Sequence, residues 1–241
     1  MRADYAEAYE RLSARHWWWR ARRAWLLERI GEMAPDDGWG RILDVGCGDG
    51  LWFDALERFG VVQGVEPDAS VVGTERHRAG RIHVGPFDEG YRPVRQFGLV
   101  LFLDVLEHME DDVGALAHAG RLLEPGGRVL LTVPAFECLW TRHDDLNDHL
   151  RRYRRRSLSA CVEQAGLVLH DSRYFFHWVF FGKLVERLAE ALVDADPRPP
   201  VVPPRPLNEL LYRASRLEQR LTRRVRPPFG SSLLGVAGEP G

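Results

Sequence analysis

Lysine is almost absent from this chain. Of its 33 basic residues only Lys183 is a lysine, and 35 acidic residues leave a net charge of −2. The arginine bias reads as a property of the genome. So balanced a chain has no global field drawing it to nucleic acid or to an anionic surface, and it shows no basic stripe. Cysteine is scarce as well. Cys47, Cys138 and Cys161 form neither a CxxC pair nor a disulfide pattern, as a reducing cytoplasm would favour. Long apolar runs are missing too. The most apolar one, Tyr174 to Phe181, is far shorter than the roughly 18 residues of a membrane span. The opening MRADYAEAYERL is polar and mixed in charge, unlike a signal peptide. The expectation is a cytoplasmic chain without stable membrane insertion, a monomer or homodimer.

What is present is an alternation of strands and helices. Residues 3–33 read as helix, with an aromatic block, HWWWRARRAW. RILDVG, VVQGVEPD, RIHVGPF, the stretch from Phe97 to Leu103, RVLLTVP and LVLHDSRYF read as strands, and SSLLGVAGE as a last one. LWFDALERFG, a segment from about Asp111, and residues 140–165 read as helical. Such alternation predicts a mostly parallel sheet covered on both faces. Residues 183–193 are amphipathic, with Leu184, Leu188 and Leu192 on one stripe. Residues 194–206 hold six prolines and cannot be helical. Residues 207–224 are helical again, with Leu207, Leu210, Leu211, Leu217 and Leu221 apolar. The expected parts are an N-terminal helical lid over 1–35, an α/β core over 36–175, a helical and proline-rich insertion over 176–229 on the substrate side, and the last strand and tail over 230–241.

The clearest chemical signal is LDVGCGDG, residues 43–50, where a strand breaks into Gly46, Gly48 and Gly50 before a helix. Glycines let the backbone turn sharply and let a ligand come close. A dinucleotide loop would read GxGxxG, but the third glycine comes one residue early. Asp44, two residues before the first glycine, would repel a pyrophosphate and suits a cationic ligand carrying an amino group. Glu66 closes the second strand, where a carboxylate can grip both hydroxyls of a ribose.

LDVGCGDG, VEPD, LVLFLDVLEHMEDD and LLEPGGRVLLTVP resemble, in order and spacing, the motifs of the class I S-adenosylmethionine (SAM) dependent methyltransferases. The resemblance covers about residues 40–175 and the last strand. It implies a Rossmann-like α/β fold with a mostly parallel seven-stranded sheet, and SAM as cofactor with S-adenosylhomocysteine as product. It would place Asp44, Gly46, Cys47 and Gly48 at the methionine part of SAM and Glu66 with Pro67 at the ribose. Leu103, Asp104 and His108 would lie along the cofactor's other edge, and Phe87 near the adenine. The family often has an aspartate where this chain has Gly98. A bacterial subgroup shares HWWWRARR, LEHMEDD, VPAFECLW and HDDLNDHLRRY, and implies a small-molecule acceptor. The resemblance implies a methyltransferase. The expected transfer is to a small molecule, at oxygen ahead of carbon or nitrogen, and to a partly apolar metabolite such as a natural product or a lipid-linked or sugar-containing compound if the run at 174–181 is a pocket. The alternatives are a SAM-binding enzyme that catalyses a cyclisation or rearrangement, and a non-catalytic partner subunit. Nucleic acid is not expected, since no (D/N)PP(Y/F) sequence occurs.

HDDLNDHLRRY, His143 to Tyr153, follows the fifth strand on the side expected to face the acceptor. A methyl acceptor that is a hydroxyl or amine must lose a proton, and histidine is the natural base. His149, then His143, are the candidates, with Asp144 or Asp148 orienting the ring. Arg151 and Arg152 could grip an anionic substrate and Tyr153 could stack on it. The bland alternative is a polar helix face with an Asp148–Arg152 surface pair. Metal is not expected. HDxxxDH is no tight signature, and Asp104, Glu107 and His108 form a second, weaker cluster.

Trp17, Trp18, Trp19 and Trp25 cannot all face one way, since consecutive residues step about 100° round a helix. A lid over the cofactor cleft, packing against the later insertion and a dimer interface are the options, in that order. YFFHWVFF, residues 174–181, is either an apolar acceptor pocket or plain core. A membrane-surface helix at 183–193 is disfavoured by its mixed charges.

Overall fold

A computed structural model describes residues 12–72, 78, 80–192 and 200–240. Seven strands form one sheet in the order β3-β2-β1-β4-β5-β7-β6. They are β1 (Arg41–Val45), β2 (Val61–Glu66), β3 (Ile82–Val84), β4 (Phe97–Leu103), β5 (Leu123–Pro134), β6 (Val168–Phe175) and β7 (Ser232–Gly238). β7 runs antiparallel between β5 and β6, and the pairs among β1 to β5 are parallel. This is the Rossmann-like methyltransferase sheet that the resemblance implied.

β1 and β4 are apolar because both of their faces are covered. Successive side chains point to opposite faces. Leu43, Val45, Val100 and Phe102 join one core cluster, and Ile42, Leu99 and Leu101 join the other. The first layer is closed by α3 (Asp112–Arg121) and α5 (Arg155–Gln164) through Leu116, Ala119, Leu158 and Val162. The second is closed by α1 (Trp17–Met33) through Trp25, Leu26 and Ile30. At Gly98 a Cβ would stand 2.2 Å from the Trp39 carbonyl oxygen, so the backbone there excludes the family's usual aspartate.

The helical stretch after the glycines shrinks to α2 (Phe53–Leu56). The expected helix over 140–165 is two helices, α4 (Arg142–Leu146) and α5. Between them Asp148 takes φ +55°, and Tyr153 forms an isolated parallel bridge with Ala135. HDDLNDHLRRY is therefore not one helix face, and an Asp148–Arg152 helical pair does not form.

The aromatic run is divided. Tyr174 and Phe175 end β6, Phe176 turns with φ +57°, and α6 (His177–Leu192) begins six residues before its expected start. Tyr174, Phe175, Phe176 and His177 are buried. The expected insertion contains α6 and α7 (Arg205–Leu221). α7 begins inside the stretch 194–206 expected to be non-helical, because Pro206 sits in its first turn, where a missing N–H breaks no helical bond, and residues 193–199 lie outside the described residues. So does the start of the expected lid, residues 1–11.

The tryptophan block packs mainly on the insertion. Trp25 stacks on Phe175, Trp18 stacks on Phe176, and Trp17 meets Phe176 and Trp178. α7 grips α1 with its polar side. Asn208 accepts from the Trp17 N–H and donates to the Arg15 carbonyl, both at 2.8 Å, and Gln219 donates to the Ala21 carbonyl at 3.4 Å. Glu218 of α7 caps α6 by accepting from the backbone N–H groups of His177 and Trp178 at 3.0 and 2.7 Å.

Candidate active site

The strand order reverses between β1 and β4, and ligands of such sheets bind outside the carboxyl ends at that point. Asp44, Gly46, Glu66 and Asp104 all lie on that edge, at or just past the ends of β1, β2 and β4. Gly46 has φ +69°, and a Cβ there would sit 2.7 Å from Val105. The loop can pass under Val105 only as glycine. At Gly48 an added Cβ would meet nothing within 4 Å, so the loop is open on that side.

The two carboxylates of the loop differ. Glu66 accepts from the Gly48 N–H at 2.9 Å and the Asp68 N–H at 3.0 Å, one per oxygen, so it shapes the loop and keeps a lone pair on each. Asp44 is buried, and among the described residues it accepts no hydrogen bond. Burial pushes its carboxyl up to about 7, the Glu66 charge adds to the rise and the Arg22 cation opposes it. A buried carboxylate facing an open glycine loop fits a cationic ammonium group, and the donor set suits the amino acid and ribose parts of SAM.

Cys47 lies beneath the loop, against Gly64, where an added Cβ would collide with its Sγ. Burial raises its thiol pKa, so it stays a neutral packing group. Pro67 is exposed, and Leu103 is partly buried against the α1 side of the sheet. Phe87 packs among Tyr91, Phe102 and His118.

Arg22 of α1 is the residue that motif reading missed. It is buried, ion-paired to Asp104 at 2.9 Å, and donates to Thr132 Oγ1 at 2.7 Å, while Thr132 donates to Asp104 at 2.9 Å. Trp18 and Trp52 lie near its guanidinium, with ring centroids 5.6 and 5.9 Å away. Its position four residues before Leu26 and eight before Ile30 puts it on the buried stripe of α1, a signal present in the sequence. Arg22 thus ties α1 to the cleft edge while the tryptophans pack on the insertion.

Beyond Asp104 comes a second group. Glu107 is fully buried, and neither carboxylate oxygen has a hydrogen-bond partner among the described residues. Burial, followed by the Asp104 charge, raises its carboxyl well above the ordinary range. The exposed His108 meets His149 edge-on, with ring centroids 4.8 Å apart. Ligand atoms of Glu107, His108 and His149 lie within 4.8 Å of one another. These three offer the donor types of a divalent metal site.

His149 Nδ1 lies 2.8 Å from Asp144 Oδ1. Arg152 binds the same carboxylate twice, Nε to Oδ1 at 2.9 Å and an Nη to Oδ2 at 2.8 Å. The Thr141 N–H adds a fourth contact at 2.8 Å, which caps α4. Burial alone would raise the pKa of Asp144, but the His149 and Arg152 hydrogen bonds overcome it and hold the carboxyl well below the usual carboxylate range. Arg152 also donates to the Ala135 carbonyl at 3.0 Å. The acceptor-facing Arg152 and Tyr153 expected from sequence are not found. Arg152 is consumed by the buried pair, and Tyr153 donates to Asp112 at 2.6 Å from a buried position. Arg151 is paired to Asp112 at 2.9 Å. His143 is turned to Asn147, 3.2 Å away, and burial together with Lys183 lowers it to about 4, which makes it a weak base.

The methyltransferase domain family matches residues 6–172. The chain belongs to the class I SAM-dependent methyltransferases. A ubiquinone biosynthesis O-methyltransferase of Bradyrhizobium sp. (strain ORS 278) is 33% identical over 98 residues, 38% of this chain and 39% of that protein. The chain thus aligns with about two fifths of that relative's length. A probable SAM-dependent methyltransferase of Mycolicibacterium smegmatis is 26% identical over 190 residues, 76% of this chain and 72% of the relative. Among solved structures, Haemonchus contortus phosphoethanolamine N-methyltransferase 2, in complex with S-adenosyl-L-methionine, superposes with a TM-score of 0.57 at 19% identity, over 91% of this chain and 52% of that one. The Glu107–His149 group extends along the same sheet edge as the glycine loop, beyond β4.

Proposed function

We propose that the chain methylates an oxygen of a small, partly apolar acceptor, with His149 taking the proton. The observation that carries this reading is the His149–Asp144 pair beyond β5. An ionised carboxylate can only accept, so the Nδ1 of His149 carries the hydrogen and Nε2 keeps a free lone pair. Asp144 is held ionised by Arg152, so it stabilises the imidazolium that forms, as the acid of a triad does. Asp44, Gly46 and Gly48 would hold the amino-acid part of SAM, and Glu66 the ribose. Bound SAM supplies a methyl group activated by its sulfonium. His149 removes the hydroxyl proton at Nε2 as the oxygen becomes an ether, and later releases it to water. Oxygen is favoured by the ubiquinone O-methyltransferases among the relatives. The apolar character is favoured by the Phe136, Tyr174 and Phe180 cluster beside this edge.

The test is His149→Gln with a panel of phenols and aliphatic alcohols and methyl-labelled SAM. Turnover should fall about 10²- to 10⁴-fold with SAM affinity kept. Unchanged turnover would remove His149 from the chemistry, and label found only on amines would remove oxygen.

A second reading rests on the orphaned oxygens of Glu107. With His108 and His149 they would hold a divalent ion that polarises the acceptor hydroxyl. Chelation separates the two. Activity lost in EDTA and restored by Mg²⁺, Mn²⁺ or Zn²⁺ assigns His149 to the metal. Activity indifferent to EDTA assigns it to the proton.

A further inference from the structure

α7 is mounted inside out. Its buried residues are Asn208, Ser215 and Gln219, all polar. Four of its five leucines face solvent, with Leu207, Leu210, Leu217 and Leu221 between 47% and 69% exposed, while Leu211 is half-buried. Their spacing of three, seven and four residues makes one continuous stripe, with the exposed Ala214 in the gap. At 1.5 Å per residue that stripe is about 21 Å long. α6 repeats the pattern. Phe181, Val185, Leu188 and Leu192 recur at four, three and four residues and are between 57% and 86% exposed. Single exposed apolar side chains need no explanation, but two stripes of four on helices joined through Glu218 do.

The charge around them identifies what covers them. Residues 205–226 hold seven arginines against Glu209 and Glu218, in a chain whose total charge is −2. Arg213, Arg216, Arg223 and Arg226 are paired to Glu209, Glu28, Glu32 and Asp171. Arg205, Arg220 and Arg224 have no acidic partner among the described residues, and all three are exposed. A second copy would bring the same cationic surface against this one, which like-charge repulsion opposes. A leucine face bordered by arginines instead matches an anionic bilayer. The leucines enter the acyl boundary and the guanidinium groups stay among the phosphates. We propose that α7 forms the surface on which this chain docks to an anionic membrane; the α6 stripe carries no such excess, since Glu186 and Glu190 balance Lys183 and Arg187. No described helix is long and apolar enough to cross it, so the docking is peripheral. The proposal stands whether or not His149 is the catalytic base.

The test is flotation of the full chain with phosphatidylcholine vesicles, with and without phosphatidylglycerol. The expected result is binding to the mixed vesicles, loss of it at high salt, and none to phosphatidylcholine alone. Leu210→Glu with Leu217→Glu should weaken binding at least about tenfold. Arg220→Ala with Arg224→Ala should weaken it by a similar factor. Both variants should keep the melting temperature and SAM binding of the parent, since these side chains point away from the core and the cleft. Absence of flotation, equal binding to neutral vesicles or full binding by either variant would overturn the proposal. So would a dimer in light scattering that the leucine variant splits, which would give the stripes to a second copy.

Discussion

Asp44 and Asp144 are both buried aspartates at the same edge of the sheet, and they have opposite lives. Asp44 accepts no hydrogen bond from the described residues, and burial lifts its carboxyl to about 7. Asp144 is bound by Arg152, His149 and the Thr141 backbone, and is held well below the usual range. A buried charge left unpaired is a cost the fold bears for a ligand, whereas a buried charge saturated from within is scaffold. The glycine edge carries the first kind and the edge beyond β5 the second. Among the described residues, His149 and the Glu107 group keep spare capacity there.

The largest effect should come from breaking the saturated member. Asp144→Asn leaves Arg152 buried beside a neutral amide, so stability should fall by roughly 3–5 kcal/mol. Denaturant midpoints would show it, and a loss under about 1 kcal/mol would mean that the pair is not structural. Asp44→Asn should do the opposite. The empty fold keeps or gains stability, while SAM affinity measured by calorimetry drops roughly tenfold to a hundredfold.

The contrast sharpens with pH. The folded-state pKa of Asp44 is raised from 3.8 to about 7. Its protonated form therefore favours the empty fold. That contribution is complete below the unfolded pKa of about 3.9 and is lost as pH rises through about 7. Under the proposed placement of SAM its ammonium group pairs with the carboxylate, so affinity should rise across the same window and level off above it. A titration of affinity that is flat from pH 5 to 8 would contradict this, and Asp44→Asn should make it flat. The smallest effect belongs to Glu107. Burial raises its pKa and disfavours the charged form, so Glu107→Gln should change stability by no more than about 1 kcal/mol. A larger loss would mean that Glu107 is ionised and paired with something bound.

Much of the fold could be read from the sequence. Apolar runs ending in glycines placed the strands, because a sheet covered on both faces demands them. The glycine loop was legible too, since Gly46 answers a local backbone need that only glycine meets. The far side of the cleft was not. The break after α4 is made by the left-handed Asp148 and by the Tyr153–Ala135 bridge, and the bridge is a long-range contact that local periodicity cannot carry. The inward turn of Arg152 depends on Asp144 being a cap and an ion-pair partner at once. α7 misleads because an amphipathic pattern says that two faces differ, and not which one meets the protein.

The place of β7 has a consequence in time. β6 lies at the sheet edge with β7 as its sheet neighbour, and β7 follows it in sequence only after the whole α6–α7 excursion. At on the order of ten residues per second, a ribosome needs several seconds to make that excursion. Through that interval β5 and β6 both wait with open backbone edges, and Leu130, Leu131 and Phe175 wait for the strand that will cover them. The newborn chain is therefore open to mispairing through that interval, when six of its seven strands are already laid down.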